Sequence, residues 1–280
     1  MTQTKTTLAA MTLAGVALFA TGASACGPDS ACPVEGGEYL VALPDGPPKG
    51  AVMFIHGYGS SAAGVLRNSG MINAILERGY MLVAPNGLTM EGRNGGNWSF
   101  HPQRYQRRDE VAFIHTVKDD VIERFGITQE DILLSGFSIG GSMASYVACQ
   151  TPDAFHAYAP VGGSFWRPHP TTCEGDVRLF HTHGWNDGTV PLEGRVIRGE
   201  DINDIGAFAQ GDVFHAMDIW RQSNDCIHAK ADRMKTEGAY WIRGWDRCVP
   251  GSSLEFALFP GGHVIPAGWS DMVLDWFESL

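Results

Sequence analysis

The chain has 280 residues, of which 44% are hydrophobic and 18% are charged, the composition of a globular protein with a sizeable core. Its 20 Lys+Arg against 31 Asp+Glu give a formal net charge of −11. Such a chain repels phosphate backbones and anionic membranes, which argues against nucleic acid as a partner.

Residues 1–25 carry the features of an export signal. Lys5 is the only charged side chain before residue 29, and the apolar run over 8–20 is too short for a comfortable membrane span. Ala23-Ser24-Ala25 matches the A-x-A pattern of signal-peptidase sites. We therefore predict a signal peptide at 1–25 and a secreted or periplasmic mature chain, with a buried N-terminal helix as the alternative. Cleavage would leave Cys26 as the first residue, which makes a lipid anchor at Cys26 a second alternative. Ala23 is a poor match to the larger aliphatic residue usual at lipid-anchor sites, so this alternative is the weaker one.

Cysteine usage agrees with export. The signal segment is followed by six cysteines: Cys26, Cys32, Cys149, Cys173, Cys226 and Cys248. An even number suits disulfides in an oxidising compartment, although six cysteines allow fifteen connectivities. Pairing of nearest neighbours gives Cys26–Cys32, Cys149–Cys173 and Cys226–Cys248. None of the six belongs to a C-x-x-C pair, which argues against a zinc site or a redox motif.

After the signal segment, apolar strands alternate with amphipathic helices. The predicted strands are 38–43, 51–55, 80–84, 131–135, 158–161, 177–181 and 254–259. The predicted helices are 71–78, 109–125, 138–149, 213–221 and 269–277. Two stretches, 91–108 and 224–253, show no such pattern and are predicted to be loop insertions that shape a pocket. The alternation predicts one α/β domain over 26–280, with a mainly parallel sheet and helices on both faces.

Gly136-Phe137-Ser138-Ile139-Gly140 matches the G-x-S-x-G pattern of a nucleophilic serine. The motif follows a predicted strand and opens a predicted helix, which is the context it requires in the α/β-hydrolase fold. Side chains two residues before and after the serine would clash in so sharp a turn, so glycine stands at both places. A merely structural glycine-rich turn is the alternative interpretation.

A serine nucleophile needs a base and an acid, which follow it in this order along an α/β-hydrolase chain: serine, acid, histidine. His263 comes directly after the last predicted strand, where the base belongs. Asp187 follows the strand that ends near residue 181, on a loop where it can orient an imidazole. A turn aspartate before glycine is the alternative for Asp187. Weaker rivals, because they lie at helix entries or in helices, are Asp176, Asp212 and Asp218.

Acyl transfer also needs N–H donors for the developing oxyanion. We predict the backbone N–H groups of Ile139, next to the nucleophile, and of Tyr58, in the loop after strand 51–55. His56, in the same loop, is assigned a structural role. Three tryptophans on predicted loops are candidates for lining the substrate pocket, with core packing as the alternative: Trp98, Trp166 and Trp185.

Metal and nucleotide sites are disfavoured. His181 and His183 could place two imidazoles on one strand face, but no third ligand lies nearby in the sequence. The glycine-rich stretches 92–96 and 136–141 lack the P-loop lysine and the G-x-G-x-x-G spacing. We therefore predict neither a metal nor a cofactor.

The motifs together resemble those of the exported polyhydroxybutyrate depolymerase-like esterases, relatives of feruloyl and acetylxylan esterases. The resemblance covers nearly the whole mature chain and is carried by HGYGSSAAG (56–64), GFSIGGSMA (136–144), SFWRP (164–168), HGWNDGTVPLEGR (183–195) and FPGGH (259–263). It implies that Ser138, Asp187 and His263 form the triad and that a Cys149–Cys173 disulfide braces the nucleophile helix. The large extracellular depolymerases carry an added polymer-binding domain, and because no such module is seen after the catalytic segment we expect soluble oligomers or small esters rather than crystalline polyester as substrates. Segment 196–253 is less typical of the family.

These patterns predict a serine esterase that acts on hydroxyalkanoate oligomers or short-chain esters through an acyl-enzyme. An esterase of feruloylated or acetylated plant polysaccharide is the alternative within the same class. A hydrolase fold kept as a non-catalytic binding protein is the alternative of another class. The sequence does not specify an oligomeric state.

Overall fold

The computed structural model describes residues 1, 26–101, 103–197, 199, 201, 203–204 and 206–280. Apart from Met1, the predicted signal segment lies outside the described residues. In the described part of the chain, no helix has both the length and the apolar character needed to cross a membrane.

A ten-stranded sheet within these residues organises the fold. The strands of the chain are β1 (Cys32–Val34), β2 (Gly37–Ala42), β3 (Gly50–Ile55), β4 (Tyr80–Pro85), β5 (Leu88–Thr89), β6 (Gly96–Asn97), β7 (Ile132–Phe137), β8 (Ala157–Val161), β9 (Arg178–Gly184), β10 (Arg195–Val196), β11 (Ala209–Gln210), β12 (Arg233–Glu237), β13 (Tyr240–Trp245) and β14 (Ser253–Phe259). The order in the sheet is β1-β2-β4-β3-β7-β8-β9-β14-β13-β12, and β5-β6 and β10-β11 form separate small ribbons. Pairing is parallel from β4 through β14 and antiparallel at both edges.

Helices cover both faces of this sheet. They are α1 (Ala62–Val65), α2 (Ser69–Glu77), α3 (Glu110–Phe125), α4 (Ile139–Gln150), α5 (Val213–Ser223) and α6 (Trp269–Phe277). One buried cluster joins the sheet to α3, α4 and α5, and a second joins it to α1, α2 and α6. Every residue of β3 is buried, as expected for a strand covered on both sides. The predicted mainly parallel sheet with helices on both faces is confirmed.

Helix α3 shows how local sequence sets an element's ends. Asp109 accepts a hydrogen bond from the Ala112 amide at 3.0 Å and so caps the first turn. Gly126 ends the helix in the left-handed conformation, with φ of 68°, a position that favours glycine. The prediction for 109–125 therefore included the capping residue in the helix.

The prediction of a loop insertion over 224–253 is wrong in its central part. Strands β12 and β13 form a hairpin that pairs with β14 and extends the sheet at one edge. A two-residue turn, Gly238-Ala239, joins them, with a positive φ at Gly238 that suits a tight hairpin.

The six cysteines form disulfides between nearest neighbours: Cys26–Cys32, Cys149–Cys173 and Cys226–Cys248. The second ties the end of α4 to the segment that leads into β9. It therefore fastens the helix that begins at the predicted nucleophile.

Removing the Cys149–Cys173 disulfide is expected to destabilise the protein more than removing Cys26–Cys32. The closed loops span 24 and 6 residues, and a longer loop restricts the unfolded chain more. We expect the double serine variant C149S/C173S to lose about 3 kcal/mol and C26S/C32S about 2 kcal/mol in the free energy of unfolding. Denaturant titration of the mature chain measures both, and the reverse order would contradict this account.

Candidate active site

Ser138 lies in a sharp turn between β7 and α4. Its backbone has φ of 60° and ψ of −123°, a conformation that non-glycine residues rarely adopt and that is found mostly at functional sites. The turn brings other backbone atoms very close to Gly136 and Gly140. A Cβ on Gly136 would lie 2.4 Å from the Gly140 carbonyl oxygen, and one on Gly140 would lie 2.1 Å from the Ile55 carbonyl oxygen. The two glycines of the motif are therefore required by space.

Three side chains from distant parts of the chain meet above this turn. His263 Nε2 lies 2.8 Å from Ser138 Oγ, and His263 Nδ1 lies 2.7 Å from Asp187 Oδ2. Because a carboxylate only accepts, Nδ1 carries the proton, which leaves Nε2 of the neutral ring free to accept the serine hydroxyl proton. The structure thus brings the predicted nucleophile, base and acid into one hydrogen-bonded series.

Asp187 is held in place by its own loop. Its Oδ1 accepts hydrogen bonds from the amides of Thr189 at 2.9 Å and Val190 at 2.8 Å, and its Oδ2 faces His263. Burial acts to raise the pKa of Asp187, but the hydrogen bonds from His263 and from these amides outweigh it, so the pKa lies below its ordinary value. Asp187 is therefore ionised at neutral pH, as an orienting acid should be.

The loops of the acid and the base are joined to each other. The amide of Trp185 donates to the Phe259 carbonyl oxygen, and that of Asn186 donates to the Gly261 carbonyl oxygen, both at 2.8 Å. These bonds continue the parallel pairing of β9 with β14 past the strand ends. The relative position of Asp187 and His263 is thus set by the sheet itself.

The predicted oxyanion donors lie beside the nucleophile. Ile139 is the first residue of α4, so its N–H has no acceptor within the helix. The loop that carries Tyr58 passes close by, since a Cβ on the preceding residue, Gly57, would lie 3.5 Å from Ser138 Cβ. His56 braces this loop: its Nδ1–H donates to the Gly57 carbonyl oxygen, and its Nε2 accepts from the Gly87 amide. The roles of Ile139 and Tyr58 as donors stay predictions.

Two cavities lie near the predicted nucleophile, one lined by Ser138 and one by Ile139. The larger, of about 430 Å³, is lined by Ser138 and His263 and by mixed polar and apolar residues that include Tyr58, Val65, Met71 and Ile265. The smaller, of about 230 Å³, includes Ile139 in its lining and is mostly aromatic, with Trp98, Phe100, Trp166 and Phe208 in its wall. Ser138 and His263 therefore open into the larger cavity, and the smaller one adjoins Ile139.

Two of the three predicted pocket tryptophans line a cavity, and the third does not. Trp98 and Trp166 line the smaller cavity, although Trp98 is almost fully buried and donates to the His56 carbonyl oxygen. Trp185 lies in the wall of neither cavity; it is 55% exposed and meets Trp241 edge to face. Phe100 and Phe208 are lining residues that the sequence did not single out.

The two histidines considered as metal ligands bind each other instead. His181 Nε2 lies 3.1 Å from His183 Nδ1, and His183 Nε2 lies 2.8 Å from the Val190 carbonyl oxygen. Throughout the described residues, no cluster of three or more His, Cys, Asp or Glu side chains could hold a metal ion.

A parallel sheet with a serine on a sharp strand-to-helix turn, followed by its acid and histidine at later strand ends, defines the α/β-hydrolase class. A model of the phospholipase/carboxylesterase family matches residues 37–218, and the chain belongs to this family.

Known proteins support the same assignment. Feruloyl esterase C of Emericella nidulans is 26% identical over 198 residues, which cover 64% of this chain and 68% of that protein. A protein named "Probable feruloyl esterase C" of Aspergillus terreus is 23% identical over 242 residues, covering 82% and 77%. The solved acetyl xylan esterase from Aspergillus awamori superposes with a TM-score of 0.66 at 16% identity, covering 88% of this chain and 95% of that one, which shows the shared fold. The predicted serine ester hydrolase is thereby supported.

Proposed function

We propose that the chain hydrolyses carboxylic esters through an acyl-enzyme formed on Ser138. Ser138 Oγ attacks the ester carbonyl carbon while His263 Nε2 takes its proton, and the N–H groups of Ile139 and Tyr58 receive the oxyanion. His263 then gives the proton to the departing alcohol oxygen. Water then attacks the acyl carbonyl carbon while His263 Nε2 takes a proton from it. His263 gives this proton to Ser138 Oγ as the acid leaves, which restores the serine hydroxyl.

One observation carries this proposal: the hydrogen-bonded series from Asp187 through His263 to Ser138 ends in the wall of a cavity. A fluorophosphonate probe tests it directly, because such a probe bonds only to an activated serine. We expect the probe to label the folded mature chain at Ser138, as located by peptide mass spectrometry, and short nitrophenyl esters to be hydrolysed. A folded chain that neither reacts with the probe nor hydrolyses these esters would instead support the non-catalytic binding protein.

We propose hydroxyalkanoate oligomers or short-chain esters as the substrate class. The resemblance of the motifs around Ser138, Asp187 and His263 to polyhydroxybutyrate depolymerase-like esterases supports this choice. The larger cavity also suits it, because its lining combines polar groups such as Asn68 and Thr189 with apolar ones.

An aromatic or acetyl ester of plant polysaccharide is the second candidate. The named relatives are feruloyl esterases, and the aromatic wall of the smaller cavity could stack on a planar acyl group. Comparing kcat/KM for hydroxybutyrate oligomers, methyl ferulate and acetylated xylan separates the two candidates.

The Trp166→Ala variant is expected to lower kcat/KM for methyl ferulate by roughly 10- to 100-fold, the loss typical of an apolar contact in a specificity pocket. Trp166 contributes a large part of the aromatic wall and packs on Phe208 with ring centroids 4.8 Å apart. Hydrolysis of a nitrophenyl acetate, whose acyl group is too small to reach that wall, should change little. Trp185→Ala is the matched control, and an equal loss in both variants would contradict this assignment.

We also propose that residues 26–280 form one exported catalytic domain. Three disulfides within the described residues suit an oxidising compartment. Cys26 Sγ is bonded to Cys32 Sγ, and one sulfur cannot also carry the thioether of a lipid anchor. This bond argues against lipidation of Cys26, and the A-x-A pattern at 23–25 supports cleavage after Ala25. The intact mass of the mature chain, with its N-terminal sequence, tests both points.

A further inference from the structure

Two buried imidazoles lie behind Asp187 and have no part in the proposed reaction. His181 and His183 are alternate residues of β9, so their side chains point to the same face of the sheet, and both are almost fully buried. Burial lowers the pKa of His183 and lowers that of His181 well below its ordinary value. Both rings are therefore neutral at neutral pH.

The direction of their hydrogen bonds follows from this neutrality. A carbonyl oxygen only accepts, so His183 Nε2, which lies 2.8 Å from the Val190 oxygen, must carry the ring proton. Nδ1 of the same ring is then unprotonated and accepts. His181 Nε2, 3.1 Å away, is its donor. The hydrogen bond from His181 thus stabilises the tautomer of His183 that holds Val190.

The Val190 peptide group connects His183 to Asp187. Its carbonyl oxygen accepts from His183, while its amide donates to Asp187 Oδ1 at 2.8 Å. His183 Nε2 is also 3.6 Å from Asp187 Oδ2, too far for a hydrogen bond but close enough to turn the positive end of its N–H dipole toward the carboxylate. One imidazole therefore fixes the peptide that orients the carboxylate.

We infer that His183 is a positioning residue for Asp187 and that His181 supports it by stabilising the tautomer that donates to Val190. The inference rests on the proposed function, because it concerns the carboxylate that orients His263. The donor N–H of His183 is the essential feature, since filling the space alone would not hold the Val190 carbonyl group. Loss of the donor lets the 187–190 loop shift, and a small misplacement of a catalytic group has large kinetic consequences.

Two replacements at position 183 separate the donor from the ring. His183→Phe keeps a flat ring but removes the donor, whereas His183→Gln keeps an N–H near the position of Nε2. On a short-chain nitrophenyl ester, we expect His183→Phe to lower kcat by roughly 10- to 100-fold with little change in KM. His183→Gln should recover most of this loss. Equal losses in the two variants would overturn the inference, because they would show that restoring the N–H donor does not restore the role of His183.

Two further measurements keep the test decisive if His183→Phe does not fold. His181→Leu leaves His183 in place but removes the hydrogen bond that stabilises its donating tautomer, so kcat should fall several-fold. The proton shared by His263 Nδ1 and Asp187 gives a far-downfield ¹H NMR resonance, which should weaken or disappear in both donor-loss variants and persist in His183→Gln. Folded variants that keep both the resonance and kcat would overturn the inference.

His115→Phe is the matched control. His115 Nε2 contacts Thr151 Oγ1 at 3.0 Å, at the far end of α4 from the triad, so this variant should keep wild-type kcat. Failure of the proposed function looks different, because the wild-type chain itself would then neither react with a fluorophosphonate nor hydrolyse esters.

Discussion

The Ser138→Ala variant is expected to lose about 10⁴- to 10⁶-fold in kcat on a short-chain nitrophenyl ester, the range found when a serine nucleophile is removed from a working triad. Without Oγ no acyl-enzyme can form, although the cavity and the oxyanion donors remain. Substrate should therefore still bind. Initial rates, together with loss of fluorophosphonate labelling, measure the effect.

Ser145→Ala is the control for this experiment. Ser145 lies on the same helix, is fully buried, and donates only to the Gly141 carbonyl oxygen at 3.0 Å. Its removal should leave the rate near that of the wild type. If Ser138→Ala kept full activity, the chemistry would have to occur elsewhere in the molecule.

The central part of the fold could be predicted because each of its elements carries its own signal. Strand β3 is a continuous apolar run and β7 begins with one, Ile132-Leu133-Leu134, since helices cover the sheet on both sides there. Helix α3 has an apolar face that repeats every three or four residues and a glycine at its end. For such elements the predicted bounds differ from the observed ones by only a few residues.

The edge of the sheet could not be predicted in the same way. All five residues of β12 are exposed, so neither face imposes an apolar alternation, and the charged Arg233, Lys235 and Glu237 are typical of an edge strand. Its strand character comes from hydrogen bonds to β13 across the hairpin, which the burial pattern of β12 itself does not show. In β13 the alternation of buried Tyr240 and Ile242 with exposed Trp241 and Arg243 was a usable signal.

The candidate triad was accessible from sequence because strand ends of a parallel sheet meet at one edge, which restricts where its members can stand. The residues that line the cavities could not be predicted in this way. Phe100 and Phe208 come together only through the fold, and neither belongs to a motif. Trp185 stands two residues before Asp187 in sequence, yet its side chain is largely exposed and lines neither cavity.

The Asp187→Asn variant is expected to lose about 10⁴-fold in kcat, as when the acid of a serine protease triad is replaced by its amide. The structure gives the reason. Oδ1 of Asp187 accepts two backbone N–H groups, so an asparagine must keep its oxygen there and turn its NH₂ group toward His263. Nδ1 would then have to accept, which puts the ring proton on Nε2. An imidazole in that tautomer cannot take the proton of Ser138.

A comparison of kcat for Asp187→Asn and Asp218→Asn tests this tautomer argument. Asp218 lies on α5, pairs with Arg221 and touches none of the triad side chains, so its amide variant should keep wild-type activity. Asp187→Asn should retain the wild-type melting temperature within a few degrees, because the amide preserves the bonds at Oδ1. A fully active Asp187→Asn would mean that the His263 tautomer does not depend on this carboxylate, and the acid of the reaction would have to be sought among the other aspartates.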